Sequence, residues 1–145
     1  MAPPASEKRL ALARRAYDGL IAGDLESVMA DAAEEIEWRN PEQAVEPGTR
    51  KGRAAFAEAL GRLGEMFEYE RFEIERSAER ADAVAIRVRF VGRGRGSGAP
   101  IDTVFGHVFR FDGDRLIAFE WFPDPARALQ AVGAERWPGE RTNGS

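Results

Sequence analysis

The chain has no cysteine and a single histidine among its 145 residues. The first absence removes disulfides, thiolate metal ligands and cysteine nucleophiles together. The second leaves no ligand set for a transition-metal centre. No apolar run approaches the roughly 20 residues that a membrane-spanning helix needs. The opening Met1-Ala2-Pro3-Pro4-Ala5-Ser6 lacks the apolar stretch of a signal peptide. A basic excess is missing too, since 21 Lys and Arg face 25 Asp and Glu for a formal net charge of -4. A nucleic-acid footprint would need the opposite balance on one face. These absences predict a cytoplasmic protein with neither nucleic acid nor membrane as partner, and the length fits one domain.

What the chain does have is helical periodicity first and strand alternation afterwards. Leu10, Ala13, Tyr17, Leu20 and Ile21 recur at helical spacing between Ser6, placed as an N-cap, and Gly23, placed as a stop. Asp24 caps a second, short helix with Leu25, Val28, Met29 and Ala32 on its apolar side. Ile36, Trp38 and Asn40 then alternate with charged residues, which predicts a strand ended by Pro41. Pro41 to Lys51 reads as a loop over a cavity mouth. Phe56, Ala59, Leu60, Leu63 and Phe67 form the stripe of a third helix, in which Gly61 and Gly64 suggest close approach of another backbone.

Four alternating segments follow, around Phe72–Arg76, Val84–Phe90, Thr103–Phe111 and Leu116–Phe122, and predict an antiparallel meander. Asp124-Pro125 opens a last short helix that Gly133 stops. The expected domain therefore covers residues 6–133, with a flexible start at 1–5 and a disordered tail at 134–145. The order of elements predicts an α+β fold, with three N-terminal helices covering the concave face of a curved antiparallel sheet shaped as an open cone. A small apolar molecule would fit between sheet and helices.

His107 shares a strand face with Phe105 and Phe109. It is either an acid, base or hydrogen-bond donor in that cavity, or a packed core histidine. Asn40, on the face of Trp38, either orients a substrate oxygen or water or bonds nearby backbone ahead of Pro41. Trp38, Phe56, Leu60 and Phe105 would supply one part of an apolar wall, and Phe109, Phe119 and Trp121 the rest. Tyr17 either brings a hydroxyl to the cavity floor or is a packed ring with its oxygen at the surface. Asp102 and Glu120 fall on the opposite strand faces, so neither a carboxylate pair nor a Ser-His-Asp triad can be assembled. The run Gly92–Gly98 lacks the following helix of a phosphate-binding loop and reads as a flexible hairpin, with Arg93 and Arg95 able at most to collect an anionic group at the rim. No cofactor motif is present.

The segments A-G-D-L-E-S-V-M, E-W-R-N-P, P-G-T-R-K-G-R, G-R-G-R-G-S-G, H-V-F-R-F-D-G-D-R-L-I and D-P-A-R-A-L-Q-A-V-G, in this order and spacing, resemble the SnoaL-like branch of the NTF2-like superfamily. The resemblance implies an α+β cone, often a homodimer, with a deep cavity. It does not imply one function, because relatives include ketosteroid isomerases, polyketide cyclases, hydrolases and non-catalytic binding members. By resemblance, the isomerases' general base falls on Asn40 and their second acid, an oxyanion donor, on His107. Asparagine cannot take a proton, so the donor role is kept and the base is not. Three functions stay open: acid–base turnover such as cyclisation, isomerisation or hydration, non-catalytic ligand binding, or an assembly module.

Overall fold

The computed structural model describes residues 3–41 and 47–140. The first helix, α1 (Glu7–Ala22), begins where the Ser6 hydroxyl accepts the Arg9 N–H, and ends at Gly23, whose left-handed φ of 71° returns its N–H to the Gly19 and Leu20 carbonyls. Both devices satisfy backbone groups that a helix end leaves unpaired. Asp24 likewise caps α2 (Leu25–Met29) by accepting from the Ser27 N–H. Ala32, expected on this helix, instead opens β1 (Ala32–Asn40). Alanine at a buried position serves a strand as well as a helix, so its type carried no signal there.

The expected loop from Pro41 to Lys51 is only partly a loop. Gly48–Lys51 forms an edge strand, β2, paired antiparallel to β1 with Asn40 opposite Gly48. Its residues are mostly exposed, so it carries no hydrophobic alternation to betray it. Residues 42–46 of that segment lie outside the described residues.

The third helix, α3 (Arg53–Met66), passes without a loop into β3 (Phe67–Arg80). Phe67, expected at the end of the helical stripe, is the first strand residue, with φ -127°. A Cβ at Gly61 or Gly64 would meet nothing within 4 Å, so the expected close approach at these glycines does not occur. The chain continues through β4 (Ala83–Gly94), β5 (Pro100–Asp112) and β6 (Arg115–Phe122) to α4 (Pro125–Ala131), opened by Asp124 and a proline in its first turn.

The sheet order is β2-β1-β6-β5-β4-β3, antiparallel except for the parallel pair of β1 with β6. Register shifts interrupt β3 at Tyr69/Arg71 and at Ile74/Arg76. Such bulges bend a strand and increase its twist, which lets this sheet curl while staying open.

One face takes α1 and α3. Tyr17, Phe56, Ala59 and Leu60 pack there against Val84, Ile86, Val88 and Phe109. The other face takes α4, with Ala83, Ala85 and Val108 beneath Ala128 and Leu129. Gly106 permits this contact, because a Cβ on it would stand 2.6 Å from the Ala128 methyl. The expected disorder from residue 134 onward does not hold for 134–140. Ala134 and Trp137, 6% and 4% exposed, complete this second core. A lone tryptophan between glycines and prolines has no periodicity to announce its burial. Residues 141–145 lie outside the described residues.

A candidate ligand cavity around His107

β5 organises the site. Ile101, Thr103, Phe105 and His107 alternate onto the helix-covered face and line one cavity of about 260 Å³. Thr103 is exposed and His107 is 5% exposed, so the strand runs from mouth to interior. Four residues of strand correspond to roughly 13 Å of depth.

His107 lies opposite Ile86 on β4 and Trp121 on β6. Aromatic rings surround its imidazole, with Phe119 at 4.5 Å and Phe105 at 4.9 Å between centroids. Behind it, the Tyr17 hydroxyl is 2.7 Å from Nδ1. Burial pushes the imidazole pKa down from 6.5 to about 3, since no anion is at hand to stabilise a cation there. The same burial raises the Tyr17 phenol well above its ordinary value. Both groups are therefore neutral at physiological pH.

The tautomer follows from hydrogen-bond accounting. Tyr17 is buried, and its hydroxyl has no other partner among the described residues. The phenolic proton is satisfied only if it is donated to Nδ1, which places the histidine proton on Nε2. Nε2 makes no hydrogen bond among the described residues, and no buried side-chain nitrogen or oxygen is left without a partner. This N–H is thus the part of the ring open to the cavity.

Asn40 ends β1, one residue beyond the Arg39–Glu120 pair, and lines the same cavity. The Trp38 indole N–H donates to its Oδ1 at 2.7 Å. An indole nitrogen can only donate, so this contact fixes the amide with its oxygen toward Trp38.

Of the expected wall, Trp38, Leu60, Phe105, Phe119 and Trp121 line the cavity. Phe56 and Phe109 pack behind those rings, 6.2 Å and 5.2 Å from Phe119 between centroids. Tyr17 does not line the cavity and supports His107 from behind. Sequence reading missed the β3 and β4 contributions, namely Phe67, Tyr69, Phe72 and Phe90, and it missed Leu20 and Leu63 from the helices. The alternation that put Phe72 and Phe90 on strands could have found them, had their inward faces been matched to that of β5. As expected, Asp102 and Glu120 are turned away, toward Arg89 at 2.6 Å and Arg110 at 3.0 Å. Among the described residues the lining carries neither carboxylate nor lysine.

An open α+β cone with an aromatic interior and one buried imidazole defines an NTF2-like pocket domain. The profile of the SnoaL-like domain matches residues 13–119, and the chain belongs to that family. A search among curated proteins finds no sequence match. Solved structures agree on the fold. An NTF2-like protein of unknown function from Burkholderia pseudomallei is 20% identical, with TM-score 0.72 over 89% of this chain and 100% of that one. TerC, co-crystallised with polyporic acid, is 19% identical, with TM-score 0.71 over 87% and 98%. A protein of ketosteroid isomerase-like fold from Catenulispora acidiphila, in complex with trimethylamine, is 14% identical, with TM-score 0.68 over 85% and 92%. Identities this low carry the fold alone. Among the described residues no helix is long and apolar enough to cross a membrane.

Proposed function

We propose that the protein binds a compact apolar or polycyclic molecule that carries an oxygen acceptor, held in the cone with that oxygen on the His107 Nε2–H. The observation that carries this reading is the Tyr17–His107 pair, a buried hydrogen bond of 2.7 Å that turns a donor into a largely apolar cavity. An unmet donor there would cost about 1–3 kcal/mol, so a ligand acceptor gains both affinity and orientation. Solved relatives hold small molecules on the same fold, polyporic acid in one and trimethylamine in another.

The chemistry this arrangement supports is polarisation of a carbonyl, with Asn40 as a second polar contact. Through such a donor, a cyclisation, isomerisation or hydration would be assisted at the electrophile. His107 does not serve as the neutral-pH base in this reading. Its Nδ1 lone pair is engaged by Tyr17, and burial disfavours the cation that proton uptake would create. Binding is the function the geometry supports best, with turnover dependent on a substrate that needs only polarisation.

The test compares 9-fluorenone with fluorene, which share shape and differ by the carbonyl. Binding is read by quenching of Trp38 and Trp121, both in the cavity wall. Wild type should prefer the ketone about tenfold, and the Tyr17→Phe/His107→Phe double variant should lose that preference while still binding fluorene. Removing both partners together avoids stranding either polar group. Absence of binding by either compound to wild type would overturn the reading.

A further inference from the structure

The glycine–arginine hairpin between β4 and β5 is not a free flap. Its Arg95 N–H donates to the Met66 carbonyl at 2.9 Å, and the Arg95 Nε donates to the Gly64 carbonyl at 2.7 Å. The side chain thus caps the last turn of α3, where the helix leaves carbonyls unpaired. Leu63 and Phe67, which flank those two carbonyls in the chain, line the cavity. The guanidinium does not itself line the cavity; its Nε holds it on the end of α3, beside these two lining residues.

Arg95 forms no ion pair among the described residues, unlike Arg87, which is matched to Glu75, and Arg89, which is matched to Asp102. Its two terminal nitrogens keep the fork that suits a carboxylate. Among the polar lining residues, Tyr69 lies on β3 opposite Gly92, in the strand pair that leads into this hairpin. Burial lifts the Tyr69 phenol to about 12, while the Arg95 charge pulls it the other way, so the cation acts on this hydroxyl. A neutral phenol that lines the cavity and a guanidinium without an ion pair thus belong to the same end of the β3–β4 pair, where Phe67 lies opposite Gly94 and Tyr69 opposite Gly92.

We propose that the ligand of this cavity is a carboxylate-bearing apolar molecule, with its ring system in the cone and its carboxylate held at the mouth by Arg95 and the Tyr69 hydroxyl. This inference rests on the binding function proposed above and names the class of its ligand. The two polar stations divide the work. His107 meets a neutral oxygen inside, where a charge could not be desolvated, and Arg95 meets the anion outside, where its own hydration is retained. Such a ligand enters in one orientation only.

The experiment titrates 9-fluorenone-2-carboxylate and its methyl ester into wild type, Arg95→Gln and Arg93→Gln, with affinity read by tryptophan quenching. Wild type should bind the acid about fivefold to tenfold more tightly than the ester, with the gap narrowing as ionic strength rises. Arg95→Gln should erase the gap with ester affinity unchanged, which also establishes that the variant is folded. Arg93→Gln should keep it. Equal binding of acid and ester by wild type, or equal losses in the two arginine variants, would overturn the carboxylate proposal and leave the cavity reading standing. Binding of neither compound, with 9-fluorenone also silent, would overturn both. Should Arg95→Gln fail to fold, Tyr69→Phe gives the second measurement, and an undiminished acid preference there would count against the site.

Discussion

The two faces of the same sheet are built from different stock. The helix-covered face carries large rings, with Phe72, Phe90, Phe105, Phe119 and Trp121 in a continuous chain of aromatic contacts through His107. The opposite face carries Ala78, Ala83, Ala85 and Gly106 where α4 lies on it, and ion pairs where nothing covers it. Small side chains let α4 approach closely, and what space is left on that face is an open groove at the helix edge by Ala83, Ala131 and Val132. Rigid rings on a concave surface cannot all turn inward to fill the centre, and a cavity of about 260 Å³ is left among them. Large residues thus frame the aromatic cavity, and small ones allow the close helix contact.

If the second face is a sealed core, its loss should be the costliest change on the molecule that spares the cavity. Trp137→Ala removes a side chain that is 4% exposed and should destabilise the protein by about 3–5 kcal/mol in urea unfolding. Fluorenone affinity of the folded variant should be unchanged. Were residues 134–140 a loose tail, the substitution would cost nothing and the contrast between the faces would collapse.

The helix-covered face is sharpened by acid. His107 has its folded pKa at about 3, below the ordinary 6.5, so an unfolded chain takes up a proton that the folded one refuses. Stability from this group is present above pH 6.5 and is lost as pH falls toward the folded value. Between pH 7 and about 4.5 wild type should lose about 2–3 kcal/mol more than the Tyr17→Phe/His107→Phe variant. Nitrogen NMR should find the ring neutral with its proton on Nε2 throughout. A charged ring at pH 4.5 in the folded protein would break the argument for a donor-only histidine.

How much of this was legible beforehand follows the same division. The alternation of Phe105, His107 and Phe109 and the caps at Ser6, Asp24 and Asp124 are local signals, and the structure uses each as written. The family resemblance supplied the cone. What escaped was non-local: the edge pairing of Gly48–Lys51, the burial of Trp137 and the docking of Arg95 on the end of α3. None has a period to read, because each depends on what a distant segment leaves open. Tyr17 is the instructive case. Its helix position was clear, but its role as partner of His107, 90 residues away, needed the fold.

The smallest effect is expected on the uncovered part of the second face. Arg89 meets Asp102 through two short hydrogen bonds and reaches Glu73 at 3.5 Å, and the Asp102 pKa is lowered because that guanidinium hydrogen-bonds it. Both side chains nevertheless remain in solvent, at 34% and 56% exposure. Water already stabilises such charges, and ordering two long side chains offsets the attraction that is left. Arg89→Gln and Asp102→Asn should each leave the urea midpoint almost where it was, with any difference gone at about 0.5 M salt. A clear loss that survives salt would mean that this ladder is buried in solution, against another copy of the chain or another protein, and the face read here as finished would then be an interface.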